Sequence, residues 1–185
     1  MPRQGSDVDV GALHPAAIAI LAAALAACTT TPPIDVPPPL QPPGAQALRL
    51  TLYARGSQVY RCDADPADAT RGRWTFLAPD AVLYTDPQFT RPVGHHDAGP
   101  TWHGTDGSEV KGKVRASAPS TTPGAIPWLL LDATPAAAPG IFAGVTLIQR
   151  LSTEGGQPGE APCGEAQRGQ ELRAPYRAVY RFFAS

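Results

Sequence analysis

Leu48-Arg49-Leu50-Thr51-Leu52-Tyr53-Ala54-Arg55 alternates an apolar side chain with a polar or amphipathic one over its whole length. Successive side chains of a strand point to opposite faces, whereas a helix brings together positions three or four apart. The two-residue period therefore predicts a half-buried strand, with Leu48, Leu50, Leu52 and Ala54 turned to a core. The same period returns at the end of the chain. There Tyr176, Ala178, Tyr180 and Phe182 alternate with Arg177, Val179, Arg181 and Phe183.

More short strands are expected between these two. Gly56-Ser57 breaks the first strand, and Gln58 to Cys62 reads as the second. Trp74 to Leu77 and Ala81 to Tyr84 follow, split by Pro79-Asp80. Ser108 to Ala118 alternates with Val110, Val114 and Ala116 on one side. Trp128-Leu129-Leu130-Leu131 is continuously apolar, the pattern of a strand buried on both faces. Val145, Leu147 and Ile148 lie in the next strand, which ends near Thr153. Pro135 to Gly140 and Gly155 to Gly159 are loops by composition. The 22 prolines and 18 glycines of the 185-residue chain fit many turns. No convincing helix appears after residue 27. The expectation is an all-β domain over residues 45–185, an antiparallel sandwich or barrel of about seven or eight short strands.

The chain ahead of this domain reads differently. Ala16 to Ala27 is an apolar run of twelve residues. As a helix it would span roughly 18 Å, too short for a bilayer core of ~30 Å. Its length suits the h-region of a signal peptide, residues 1–27, which is removed from the mature chain. Asp7 and Asp9 dilute the positive n-region expected there, and a start at Val8 or Val10 would account for them. Leu25-Ala26-Ala27-Cys28 resembles the lipobox of bacterial lipoproteins. That resemblance implies lipidation at Cys28 and a membrane partner through it. Thr29 after the cysteine, rather than Asp, implies an outer-membrane lipoprotein facing the periplasm or the cell surface. Residues 28–44 form a proline-rich linker, with seven prolines between Pro32 and Pro43. Extended polyproline II at ~3.1 Å per residue would hold the domain up to ~35–40 Å from the membrane.

With Cys28 taken by lipid, Cys62 and Cys163 remain as an even pair in an oxidising compartment. A bridge across a loop of about 100 residues contributes up to ~4.7 kcal/mol in the chain-entropy account. The alternative, two free thiols in redox or metal chemistry, lacks a Cys-x-x-Cys frame.

Several blocks carry a family resemblance. They are Gly56-Ser57-Gln58-Val59-Tyr60-Arg61-Cys62, Trp74-Thr75-Phe76, Ala78 to Tyr84, Gly99-Pro100-Thr101-Trp102 and Asp106-Gly107-Ser108. Ile126 to Leu131, Ile148 to Gly156 and Pro175-Tyr176 continue the series. In this order they resemble a family of exported bacterial and fungal proteins known as domain of unknown function 3455. The likeness covers roughly residues 45 to 183 and implies secretion and a shared fold, but no chemistry. His103 departs from the family pattern, where an acidic residue is expected after the tryptophan.

Candidate chemistry concentrates between Gly94 and Ser108, which holds three of the four histidines of the chain. His96 and His103, with Asp97 or Asp106, are candidate ligands for zinc or copper, although adjacent histidines on a strand face opposite ways. Ser108, His96 and Asp106 are candidates for nucleophile, base and orienter of a hydrolase, but no Gly-x-Ser-x-Gly frame surrounds the serine. The competing reading is a loop whose His and Asp side chains bond to local backbone, with Asp106-Gly107 as a tight turn. Trp128 heads an apolar run and reads as core, whereas Trp102, beside Gly99-Pro100, is the candidate exposed ring for binding a ligand. A net charge of -1 provides no footprint for nucleic acid. No Gly-x-Gly-x-x-Gly motif or other cofactor signature occurs. The functional expectation is a lipid-anchored envelope protein acting as a non-catalytic ligand-binding or structural module, with protein or glycan partners open. The alternative is a metal-dependent or Ser/His hydrolase of the envelope.

Overall fold

The computed structural model describes Met1, residues 33–134 and residues 138–185. Residues 2–32, where the signal peptide and the lipidated Cys28 are expected, lie outside the described residues. Residues Ile34–Ser185 form one compact body. It contains eight strands: β1 (Ala47–Asp65), β2 (Asp68–Tyr84), β3 (Pro92–Asp97), β4 (Thr101–Gly104), β5 (Glu109–Ala118), β6 (Trp128–Thr134), β7 (Leu147–Gly155) and β8 (Glu171–Ala184). Each pairs antiparallel with the next, and β8 returns to β1, so the sheet closes into an up-and-down barrel. Of the two expected all-β architectures, the barrel forms because β1 is paired on both edges, with β2 on one side and β8 on the other.

The expected breaks in β1 and β2 are not breaks. Gly56 pairs with Ala81 and Tyr176 inside a continuous 19-residue strand. A Cβ on Gly56 would lie 2.1 Å from the Asp80 carbonyl oxygen, so this glycine marks a close approach of two strands rather than a turn. Pro79 likewise sits within β2, opposite Gln58. The irregularity falls next to it. Val59 pairs with Ala78 and Tyr60 with Phe76, which leaves Leu77 as the extra residue of a β-bulge.

Bulges also explain where the alternation departs from expectation. Arg49 is the extra residue between Leu48 and Leu50, so Leu48 is exposed while Leu52 and Ala54 are fully buried. Arg115 is extra in β5, which puts Val110 inside the barrel and Ala116 against a second cluster outside it. In β8 no such shift intervenes, and Tyr176, Ala178, Tyr180 and Phe182 all face the interior core.

The apolar run of β6 is buried on both faces. Leu129 and Leu131 face the barrel core, while Trp128 and Leu130 face outward. The outward pair is covered by the chain before β1. Leu40 is fully buried there with Leu147, Leu151 and Phe183, and Ile34 and Val36 pack on the same cluster. A 3-10 turn at Pro38–Leu40 presents the Leu40 carbonyl to Gln149 Nε2 at 2.7 Å. Residues from Ile34 to Leu40 are therefore a strap on the barrel wall, which corrects the expectation of a free spacer as far as Pro43. Proline favours the extended backbone in both cases, and the three apolar side chains decide that it docks.

Cys62 and Cys163 form a disulfide, with Cα atoms 5.5 Å apart. It fastens the segment before β8 to the β1–β2 hairpin, where the indole of Trp74 also donates to the Ala161 carbonyl at 2.9 Å. Such a bond belongs to an oxidising environment.

Candidate functional site

The two ends of the barrel differ. The end carrying the β4–β5 turn and the β6–β7 connection is plugged. Phe142 and Val145 from that connection are fully buried among Leu52, Leu83, Trp102 and Phe182. Phe142 and Phe182 have ring centroids 5.0 Å apart. Gly112, two residues beyond the Val110 that pairs with Trp102, leaves room for the indole; a Cβ there would meet the ring at 2.9 Å.

The end carrying the β3–β4 turn and the β5–β6 connection is open. A cavity of about 420 Å³ enters the barrel there, within the usual size range of small-molecule sites. Its most buried lining residues are Gln58, His96, Trp102, Tyr180 and Leu131, each at most 2% exposed. Tyr60, Leu129 and Ile126 line it further out, and Phe76, Leu77 and Val114 are its exposed rim. The bulge at Leu77 is what lets two consecutive residues, Phe76 and Leu77, both line the cavity, since a regular strand would send them to opposite faces. Tyr60 holds its position by donating to the Gly156 carbonyl at 2.7 Å and by an edge contact with Phe76.

A few polar groups are set into this apolar wall. The guanidinium of Arg150 reaches the cavity and donates through Nε and Nη2 to the Pro127 carbonyl, at 3.1 and 2.9 Å. No carboxylate pairs with it among the described residues. Its positive charge lowers the pKa of the nearby Tyr60, Tyr176 and Tyr180, but burial outweighs this and holds all three phenols above their ordinary value. Gln58 Nε2 and Trp102 Nε1 are buried with no hydrogen-bond partner among the described residues, and the buried Tyr176 and Tyr180 hydroxyls have at most each other, Gln58 and Arg150 as neighbours. Burial pushes His96 down to about 3, so its ring is neutral. His96 Nδ1 lies 2.7 Å from the Thr101 carbonyl, an acceptor, so Nδ1 carries the proton and Nε2 keeps a lone pair.

The residues expected to act together do not meet. Asp106 Oδ1 accepts from Ser108 Oγ at 2.7 Å and from the Ser108 backbone N–H at 3.0 Å. Its Oδ2 accepts from the Ile141 backbone N–H at 2.7 Å, and Ser108 Oγ accepts from Phe142 N at 3.4 Å. Asp106 and Ser108 thus tie the plug to the β4–β5 turn at the closed end. The bonds from Ser108 and Ile141 lower the pKa of the Asp106 carboxyl. His96 faces the open end and has Thr101 as its partner, so no Ser–His–Asp relay is assembled. His96 and His103 do not form a metal pair either. His96 and Trp102 point into the barrel, while His95, Asp97 and His103 share its outer face. Trp102 is not an exposed ring, being 1% accessible, yet it lines the cavity from within. Sheet closure is the reason: β4 is flanked on both sides, and its inward residues cannot reach solvent. Trp128, read as core, is buried at 4%.

Sequence reasoning missed Arg150, Tyr60 and the Phe76–Leu77 rim. An arginine after the apolar Val145–Ile148 stretch and in the same strand was the available signal.

These features define a class, a closed eight-stranded barrel with one plugged end and one apolar mouth. Residues 42–184 match the family described as Protein of unknown function (DUF3455), and the chain belongs to that family. No curated protein and no solved structure matches the chain.

Proposed function

We propose that this protein is a binding module of the bacterial envelope, tethered through lipid on Cys28, whose barrel mouth takes an apolar molecule with an acidic head. The observation that carries the reading is Arg150, a cation without an anionic partner among the described residues, set in a cavity walled by Tyr60, Phe76, Leu129 and Leu131. Apolar walls supply most of the binding free energy, and a small number of polar groups select the ligand. A carboxylate beside Arg150 would gain a charge-assisted hydrogen bond, and the buried donors of Gln58 and Trp102 belong to residues of the same lining. The separation of Ser108 and Asp106 from His96 favours binding over hydrolysis.

Displacement of a fluorescent apolar probe by fatty acids and by the matching fatty alcohols tests the mouth. Acids are expected to bind more tightly than alcohols. Arg150→Met should remove that preference, about 10- to 100-fold for a charged hydrogen bond, and Arg150→Lys should restore part of it. Wild-type protein that displaces nothing, or an Arg150→Met variant with unchanged preference, would reject the reading. The tether is tested separately, by palmitate labelling of wild type but not of Cys28→Ser. A soluble, unlabelled product with Cys28 intact would refute it.

A further inference from the structure

The outer face of β3, β4 and β5 carries a cluster unrelated to the mouth. Strand register places His95 directly opposite His103, and His103 directly opposite Glu109. Asp97 lies two residues from His95 and therefore on the same face. His95 Nε2 is 3.3 Å from Asp97 Oδ2, and His103 Nε2 is 3.2 Å from Asp97 Oδ1. The two imidazoles stack with centroids 4.5 Å apart and planes 12° from parallel. On its other side, His103 Nδ1 is 3.2 Å from Glu109 Oε2, while Lys111 Nζ is 3.3 Å from Glu109 Oε1.

From this geometry we infer that His95, Asp97 and His103 form a binding site for a borderline divalent transition metal, zinc(II) or copper(II), with Glu109 orienting His103. Three donor atoms, one from each residue, lie within 4.8 Å of one another. Bonds of about 2.0–2.1 Å in a tetrahedral site put neighbouring donors about 3.3 Å apart, which is the spacing of each imidazole from the nearer of the two Asp97 oxygens. A neutral imidazole has one N–H. With Glu109 as the partner of Nδ1, it is Nε2 of His103 that is turned to the Asp97 side of the cluster. A carboxylate on the far nitrogen of a ligating histidine is the usual outer partner of such sites. Two nitrogens and one carboxylate oxygen suit zinc or copper and not calcium or magnesium, and a three-residue set leaves a position open for an outside ligand. The donors stand on paired strands, so the sheet preorganises them.

The test is calorimetric titration of the mature protein with Zn²⁺ and then Cu²⁺. One equivalent is expected. His95→Ala and His103→Ala should each weaken binding at least about 10-fold, and Glu109→Ala about 10- to 100-fold, as for outer partners elsewhere. His95 is more than half exposed, so its replacement leaves the barrel folded; an unchanged metal-free melting curve and unchanged probe binding in the mouth verify that. Wild-type protein that binds neither ion, or His95→Ala and His103→Ala variants that bind as wild type does, would overturn the inference.

Discussion

His96 lies flat against Trp102, with ring centroids 4.3 Å apart and planes 7° from parallel. Tyr180 meets both rings edge-on, at 5.3 Å from each. A titratable ring is thereby enclosed by aromatic faces, and burial is the main cause of its low pKa.

Acid should therefore destabilise the barrel through His96. Its pKa is about 3 in the folded protein and 6.5 when unfolded. Between these values the unfolded chain binds a proton that the native state does not. The stabilisation is complete above pH 6.5 and is lost as pH falls toward 3, at up to about 1.4 kcal/mol per pH unit. Thermal melts should show a steep decline between pH 6.5 and 4.5, and His96→Phe should flatten it. An identical slope in that variant would exclude His96 as the cause.

The strap should behave as part of the fold. Leu40 is completely buried against Trp128, Leu130, Leu147 and Leu151. Leu40→Ala is expected to cost about 2–5 kcal/mol in urea unfolding. A chain beginning at residue 42, where the family match starts, should bind an apolar dye at the uncovered outer face of β6. Unfolding curves that superimpose on wild type would show that the strap contributes nothing.

Asp106 should prove structural. Asp106→Ala removes the acceptor for Ser108 and for the Ile141 backbone. Faster amide exchange at Ile141 and Ser108 and a lower melting temperature are expected, with ligand binding at the opposite mouth retained. Asp106→Asn, which keeps one acceptor oxygen, should lie between. Loss of mouth binding with an intact plug would contradict this division of the barrel.

How much could be read in advance depended on how local each feature is. The inward row Tyr176, Ala178, Tyr180 and Phe182 was legible because strand period is a property of neighbouring residues. The double burial of Trp128 to Leu131 was legible for the same reason, although what covers the outer side, Ile34 to Leu40, was not. The Gly56 and Pro79 positions misled because residues that end strands also serve at bulges and close approaches. Trp102 misled because its burial is created by β3 and β5 on either side of it. Which of His95 and His96 turns outward was not legible either, because it is set by the face of β3 that meets the core, and His96 is the one that turns in.

Closure of β8 onto β1 gives every strand two neighbours, but β3 meets β2 only at Ala81–Tyr84 and β4 meets β5 only at Glu109–Lys111, so the rest of β2 and residues 113–118 of β5 overhang with one edge unpaired. Recognition by strand addition, in which a partner's backbone zips onto exposed N–H and C=O groups, needs such an edge. The closed part of the ring offers none, and the overhanging stretches of β2 and β5, which carry the rim residues Phe76, Leu77 and Val114, are where a partner strand would start. Elsewhere on the ring a partner must be read by side chains, and backbone pairing is confined to the rim of the mouth.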